Sequence, residues 1–347
     1  MKKKIILFIG PLPPPAGGIS IHIKRLSELL KNDYTFEYID ESNPVKPVYF
    51  NIRSLNFFKY LALISKADLI YIHSGTHILR TFHIVMGKLF FRKIILTLHA
   101  YPFNNKKIVK YFEEVIYKQA NKIILVNANL FEKIKLPRQK CLVQNAFLPP
   151  VIESETEIPA AIDEWIKKAK ISGKVIMCAN AWQLEIYQNE DLYGLDMCID
   201  AMYKLKKDGL AAGFIFNVAS TNKLKDIYLI CQEKINELGL AENFLLINER
   251  LSFVKLIEKT DIVLRPTNTD GDALTVREAL FLGKPVVASD VVERPLGTIL
   301  FKTRDVNDMT AKLTTLINSG LLRGISGNRE SKNFYYEFYK NLIDSVI

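Results

Sequence analysis

The sequence predicts an α/β protein of two doubly wound, parallel-sheet domains, and three observations carry that expectation. Apolar runs of strand length alternate along the whole chain with segments that are apolar at helical spacing, a pattern that builds parallel sheets with helices on both faces. The 347 residues exceed one ordinary core, and with 49% of them hydrophobic they can bury two. Pro149-Pro150, followed by the polar stretch Glu153-Ser-Glu-Thr-Glu-Ile-Pro159, reads as a hinge.

Taken in order, the first half places strands near residues 5–9, 36–39, 69–72, 94–98, 123–126 and 141–143. The second half places them near 175–178, 214–218, 244–247, 262–264 and 286–288. Residues 19–30 and 273–282 are apolar at helical spacing, and 328–346 reads as an aromatic-rich closing helix. The expected divisions are 1–152, 153–326 and 327–347.

Composition narrows the class. No apolar run approaches the ~20 residues that span a bilayer. Lys2 to Lys4 precede an apolar run, but it ends in Gly10-Pro11 without a small-residue cleavage site, so no leader is expected. Cys141, Cys178, Cys198 and Cys231 lack metal-ligand spacing and read as reduced thiols, with no zinc site. Charge is uneven. Residues 1–150 hold 23 Lys and Arg against 9 Asp and Glu, or +14, while the remainder holds 24 against 28, or −4, which sums to +10. No nucleic-acid recognition motif accompanies the basic half. Segments 54–61 and 79–92 mix basic and aromatic residues on helical patterns, which suits an anionic membrane surface.

The most informative stretch runs from Arg265 to Asp290. It reads as a strand ended by Pro266, a polar turn from Asn268 to Asp272, a helix stopped by Gly283-Lys284-Pro285, and a second buried strand. A polar loop feeding a helix start offers unpaired N–H groups and a positive dipole end, which suit phosphate or sugar hydroxyls. Asp270 and Glu278 lie eight residues apart across it. At the N-terminus, Gly17 and Gly18 end a Pro-rich loop before a helix and allow close backbone approach. The spacing is not G-x-G-x-x-G, so a dinucleotide fingerprint is disfavoured. His73 and His99 end their strands, where ligands of doubly wound sheets bind.

Asp270-x7-Glu278, with the tail Glu-Ala-Leu-x-x-Gly-Lys-Pro-Val-Val-Ala-Ser, resembles the acidic signature of retaining, GT-B-fold glycosyltransferases of the glycogen-synthase-like kind, family GT4. The resemblance implies two Rossmann-like domains facing an interdomain cleft, with the closing helix crossing back to the first. It implies that Glu278 holds the nucleotide ribose and Asp270 meets the donor sugar. Gly271, Asp272, Ala273, Leu274 and Thr275 would form the donor cradle, with Gly17 and Gly18 near the phosphates. His99 would lie near the reacting carbon, and His73 would be an acceptor-side candidate.

The chain departs from this family at one point. Asn180 and Tyr193 stand where family members carry the Arg and Lys that neutralise the leaving diphosphate. Arg265, Arg277 and Arg294 are available substitutes, with Arg265 favoured by its place at a strand's end. The resulting expectation is a retaining transferase moving a sugar from a nucleotide-diphospho-sugar to a lipid-linked glycan of a capsule, O-antigen or related polysaccharide. It would need no metal, since Asp270-Gly271-Asp272 belongs to the signature, and would work peripherally on the cytoplasmic face of the membrane. The alternatives are a GT-B protein that binds sugar nucleotide without turnover, acting as an assembly partner, and a sugar-nucleotide epimerase. Donor base, acceptor and oligomeric state are left open.

Overall fold

The computed structural model describes residues 3–14, 17–43, 45–99, 106–221, 224–320 and 332–347. The chain divides into two compact units, Met1–Leu148 with Glu330–Ile347, and Pro149–Arg329. The expected division at 326/327 lies outside the described residues.

In the first unit the strands are β1 (Ile5–Gly10), β2 (Thr35–Asp40), β3 (Phe50–Asn51), β4 (Leu69–Ile72), β5 (Lys93–Leu98), β6 (Lys122–Leu125) and β7 (Cys141–Val143). They form one parallel sheet in the order β3-β2-β1-β4-β5-β6-β7. Ile6 to Ile9, Leu69 to Ile72 and Ile94 to Leu96 are wholly buried. This is why they read as unbroken apolar runs: a parallel sheet is covered on both faces. Strand order reverses between β1 and β4, and the crevice beyond the carboxyl ends of those two strands is the site such a topology provides.

The helix Gly18–Leu30 follows β1, and its buried stripe includes Ile23, Leu26 and Leu30. The closing helix, Lys332–Asp344, packs within this unit. Tyr34 Oη donates to Asp344 at 2.5 Å, Tyr336 Oη donates to Asp33 at 3.1 Å, and Tyr335 meets Phe147 edge-on.

In the second unit the strands are β8 (Val175–Gln183), β9 (Ile186–Tyr187), β10 (Glu190–Asp191), β11 (Ala212–Ser220), β12 (Phe244–Ile247), β13 (Ile262–Arg265), β14 (Val286–Ser289) and β15 (Thr298–Phe301). Six of these form a parallel sheet in the order β12-β11-β8-β13-β14-β15, and β9 pairs with β10 in a separate hairpin. The reversal lies between β8 and β13. Strands β3, β9, β10 and β15 are additions to the elements expected from sequence.

One contact sets the spacing at that reversal. Gly194 has φ +68°, and a Cβ built there would lie 2.4 Å from the Pro266 carbonyl oxygen and 3.0 Å from its ring. Asn268 N–H also donates to the Leu192 carbonyl at 3.0 Å. The segment before the helix Leu195–Lys207 is thereby pressed onto the turn that leaves β13. Gly194→Ala is expected to cost about 3 kcal/mol, because both the backbone conformation and the contact forbid a side chain. Gly173 has φ +75° but no neighbour within 4 Å of its Cβ position, so Gly173→Ala should cost only about 1–2 kcal/mol. Urea unfolding of the two variants compares them directly; equal costs would show that the Gly194 contact yields.

Candidate functional site

The two sheet reversals each gather polar groups, and the two clusters handle charge in opposite ways. In the second unit the cluster begins where β13 ends. Arg265 donates through Nε and a terminal nitrogen to both oxygens of Asp270, at 2.9 and 3.0 Å. Arg294 donates to the same carboxylate at 2.8 Å, Thr267 Oγ1 at 3.1 Å, and the Gly271 N–H at 3.0 Å. Burial alone would raise the Asp270 pKa. The hydrogen bonds and charges of Arg265 and Arg294 outweigh this and hold it below the usual carboxylate range. Side-chain exposure separates the two cations: 14% for Arg265, 2% for Arg294 and 8% for Asp270. Only Arg265 keeps an accessible edge, and its guanidinium also lies 5.4 Å from the centre of the Tyr193 ring.

The helix Leu274–Phe281 starts directly after this loop. Thr275 Oγ1 donates to Asn180 Oδ1 on β8 at 3.3 Å, and Glu278, one turn further along the same face, is buried. Arg277 instead pairs with Asp272 at 2.7 Å, on a more exposed side. The helix Leu195–Lys207 is capped by Asp191, whose carboxylate accepts from the N–H groups of Tyr193 at 2.9 Å and Leu195 at 2.7 Å. Ala273 immediately precedes the helix as its cap residue. Of the residues named from sequence, the structure pairs Arg265 with Asp270 and Thr275 with Asn180. Sequence reading did not foresee that Arg265 and Arg294 would both be engaged by Asp270, nor the Asp191 cap.

Gly17, Gly18 and Gly271 share one property. None has a positive φ, and a Cβ at Gly18 or Gly271 would meet no atom within 4 Å among the described residues; at Gly17 it would meet only Ser20 Oγ, at 3.9 Å. Neither backbone conformation nor packing calls for glycine at these positions.

In the first unit three histidines meet. His73 Nδ1 and His99 Nε2 are 3.2 Å apart, and the His22 ring centre lies 5.1 Å from that of His73 and 5.4 Å from that of His99. His22 Nδ1 donates to the Ala146 carbonyl at 2.7 Å. The turn after His73 is fixed by Ser74 Oγ, which donates to Glu41 at 2.6 Å, and by Arg80, which donates to the Ser74 carbonyl at 2.9 Å. Burial, partly opposed by the Ala146 hydrogen bond, lowers His22 to about 4. Burial, and then the cost of placing a second charge beside the His22 ring, hold His73 and His99 well below the ordinary histidine range. Sequence reading named His73 and His99 but missed His22. Its signal was present, since His22 falls on the apolar stripe with Ile23 and Leu26.

Among the described residues no group of three or more His, Cys, Asp or Glu is arranged to hold a metal ion. Residues 186–319 match the family model described as "Glycosyl transferases group 1". Among solved structures, HepE of Anabaena in complex with UDP and glucose shares 15% identity, covering 99% of this chain and 100% of its own, with a TM-score of 0.70. A glycosyltransferase from Rickettsia africae shares 15% over 99% and 98% of the two chains, with a TM-score of 0.69. Sucrose-phosphate synthase from Thermosynechococcus elongatus shares 12% over 99% and 100%, with a TM-score of 0.59. At such identities the likeness shows the fold, GT-B with two Rossmann-like domains. No curated protein matches the chain by sequence.

The neutral histidines predict acid sensitivity. Above pH 6.5 they are uncharged in both folded and unfolded chains. Below it the unfolded chain takes up protons that the folded rings refuse, so stability falls as pH drops, until His22 itself protonates near 4. The loss is expected to approach about 1.4 kcal/mol per pH unit for each such histidine. Urea unfolding between pH 7 and 5 reads the slope, and His22→Phe should flatten it.

Proposed function

We propose that this GT-B-fold chain is a group 1 glycosyltransferase, on the match of residues 186–319 to that family model, and that it binds and uses a nucleotide sugar as follows. On this reading the enzyme is retaining and depends on a nucleotide-sugar donor. The observation that carries the reading further is the Arg265–Asp270–Arg294 cluster at the end of β13, beside the start of the helix Leu274–Phe281. Two guanidinium groups against one carboxylate leave one positive charge in excess, and Arg265 is the partner with accessible surface. We assign the leaving diphosphate to Arg265, supported by N–H groups at the helix start.

Asp270 then orients Arg265 and meets the sugar only with whatever capacity the two arginines leave it. Asn180 and Thr275 line the same face, and Glu278 takes the ribose hydroxyls. The open space over Gly17, Gly18 and Gly271 supports close approach of a ligand to backbone. Arg277, already paired with Asp272, is a weaker donor contact. His99 is assigned to the sugar, and His73 to the acceptor side. In the reaction the acceptor hydroxyl attacks the anomeric carbon on the face the diphosphate leaves. The bond to the leaving phosphate oxygen breaks, and that oxygen accepts the hydroxyl proton. With charge met by Arg265 and backbone dipoles, the proposal needs no metal.

The acceptor is proposed to be lipid-linked, as in capsule or O-antigen assembly, with the enzyme held peripherally on the cytoplasmic side of a membrane. No helix among the described residues is long and apolar enough to cross a bilayer. Several features of the first unit support a surface role. Phe58 and Phe91 are 87% and 95% exposed, near Lys59 and Arg92. The same unit carries an apolar groove of about 320 Å³, lined by Phe50, Ile52, Leu55, Phe57, Ile78 and Phe82.

Two measurements test this reading. A panel of sugar nucleotides, beginning with UDP-glucose, is expected to give nucleotide release from one donor, in the presence of a chelator. Arg265→Ala should then lower turnover about a hundredfold, with Arg265→Lys recovering part of the loss. Near-normal turnover in Arg265→Ala would move the diphosphate elsewhere. Separately, the full chain should co-sediment with vesicles containing anionic lipid and release as salt rises. Phe58→Ser and Phe91→Ser should each weaken that binding about tenfold, the effect of losing part of one buried aromatic side chain. Binding indifferent to lipid charge, salt and both substitutions would remove the membrane from the reading.

A further inference from the structure

The apolar groove of the first unit lies at the end of the sheet where ligands of this topology bind. Ile52, Leu55 and Phe57 follow the carboxyl end of β3, and Ile78 and Leu79 open the helix His77–Leu89 after β4. Two polar residues contribute to its walls, and their hydrogen-bonding atoms are engaged. Tyr60 Oη bonds to His83 Nδ1 at 2.9 Å, and Asn56 Oδ1 accepts from the Lys59 N–H at 3.0 Å. At about 320 Å³ the groove is smaller than one turn of a helix about 10 Å across, but it has room for a slender chain. Leu55 at its lip is 86% exposed and has φ +54°. Both facts run against leucine, since asparagine and glycine take this conformation more readily. The turn that presents it is tied down. Asn51 accepts from the Arg53 N–H at 2.9 Å and donates to the Ser42 carbonyl at 2.9 Å, and the Leu55 N–H closes on the Ile52 carbonyl at 3.2 Å. An apolar occupant of the groove gives a leucine its reason at a place where local rules oppose it.

Charge selects the occupant. Residues 42–112 hold 11 Lys and Arg against one acid, Asp68. Asp68 lies at the other end of the sheet, where it accepts from the Ile5 N–H at 2.8 Å. Lys59 Nζ is 5.6 Å from the centre of the Phe50 ring in the groove wall, and Arg53, also exposed, follows Ile52. Glu41 and Glu113 reach this region from other elements, but both are buried, within 3.1 Å of His83 and 2.7 Å of His77. A cationic rim on an apolar groove fits an amphiphile with an anionic head and repels a second copy of the same basic face. Three hydrogen bonds join the groove wall to the turn after His73: Tyr60 to His83, His83 Nε2 to Glu41 at 3.1 Å, and Ser74 Oγ to Glu41 at 2.6 Å. We infer that the groove holds the hydrocarbon chain of the acceptor lipid, with Lys59 and Arg53 against its anionic head. This rests on the lipid-linked acceptor reading and adds that one chain leaves the bilayer to enter the protein.

The experiment titrates the full chain calorimetrically with n-decyl phosphate below its micelle concentration, without vesicles or donor. Saturable binding is expected, with none of decyltrimethylammonium or inorganic phosphate at the same concentration. Leu55→Asn, which suits the backbone, should weaken it about tenfold by removing apolar contact. Lys59→Gln should weaken it about threefold, the size of one exposed ion pair. Ile78→Ser, at a position 69% exposed, repeats the test should Leu55→Asn fail to fold. Phe91 follows the far end of the helix His77–Leu89, about 20 Å from Ile78. Phe91→Ser should therefore leave decyl phosphate binding unchanged while weakening attachment to anionic vesicles. The groove and the membrane surface can thus fail separately. No saturable binding of decyl phosphate, equal binding of the cationic amphiphile, or unaltered affinity in folded Leu55→Asn and Ile78→Ser overturns the proposal. A dimer in sedimentation that Leu55→Asn dissociates would give the groove to a second copy and overturn it too.

Discussion

The buried carboxylate of Asp270 is the constraint around which the second unit's site is arranged. A carboxylate with 8% of its side chain exposed is costly to desolvate, and it persists ionised only where partners return most of what water gave. Here five donors do so, from Arg265, Arg294, Thr267 and the Gly271 backbone. They come from the end of β13, the turn after it, and the segment beyond β14. Binding one anion therefore fixes three pieces of chain against one another. The tight approach of Gly194 to Pro266 then fixes the helix Leu195–Lys207 against the same turn. Removing Asp270 would leave two guanidinium groups close together with no counter-charge, so the carboxylate holds the cations in place as much as they hold it.

The first unit meets the same cost of burial by the opposite route. Among the described residues its clustered His22, His73 and His99 have no carboxylate partner, and burial keeps them neutral, so polarity is managed by assigning protons to particular nitrogens. A neutral imidazole has one donor and one acceptor, and a chain of such rings anchored to a backbone carbonyl has a direction. A paired ionic cluster tolerates acid down to the carboxylate range. A neutral cluster is penalised as soon as the unfolded chain can protonate. The two units are thus expected to differ in their response to mild acid although both are built on the same sheet plan.

Much of this architecture could be read in the sequence, for a physical reason. Strands buried on both faces must be apolar throughout, so residues 5–9, 69–72 and 286–288 announce themselves. The elements that escaped notice are those for which this reason does not hold. β3, β9 and β10 are two residues long, and β15 buries only Phe301. The candidates at strand ends, Arg265, His73 and His99, could be named from sequence because topology dictates what strand ends do. Their partners were not. Nothing local says that Asp270 turns back on a residue five positions earlier, or that Arg294, 24 positions later, arrives at the same oxygens. His22 could have been found, as a polar residue on an otherwise apolar helical stripe whose neighbour Arg25 is also buried and bonded to the Leu148 carbonyl.

The departure from the family pattern at Asn180 and Tyr193 takes on a different meaning against these contacts. Asn180 accepts from Thr275, and the Tyr193 ring sits beside Arg265, so neither position is idle. On the proposed reading the cationic function has shifted from β8 and the following helix to the end of β13. An arginine between a carboxylate and an aromatic ring loses little conformational freedom when it binds phosphate, because its plane is already set. The carboxylate that sets it also lowers the net positive charge the diphosphate meets. Two opposing consequences follow from one arrangement: better orientation and a weaker field. Arg294 tips the balance, since without it the Arg265–Asp270 pair would be neutral and would offer a leaving diphosphate no excess charge at all.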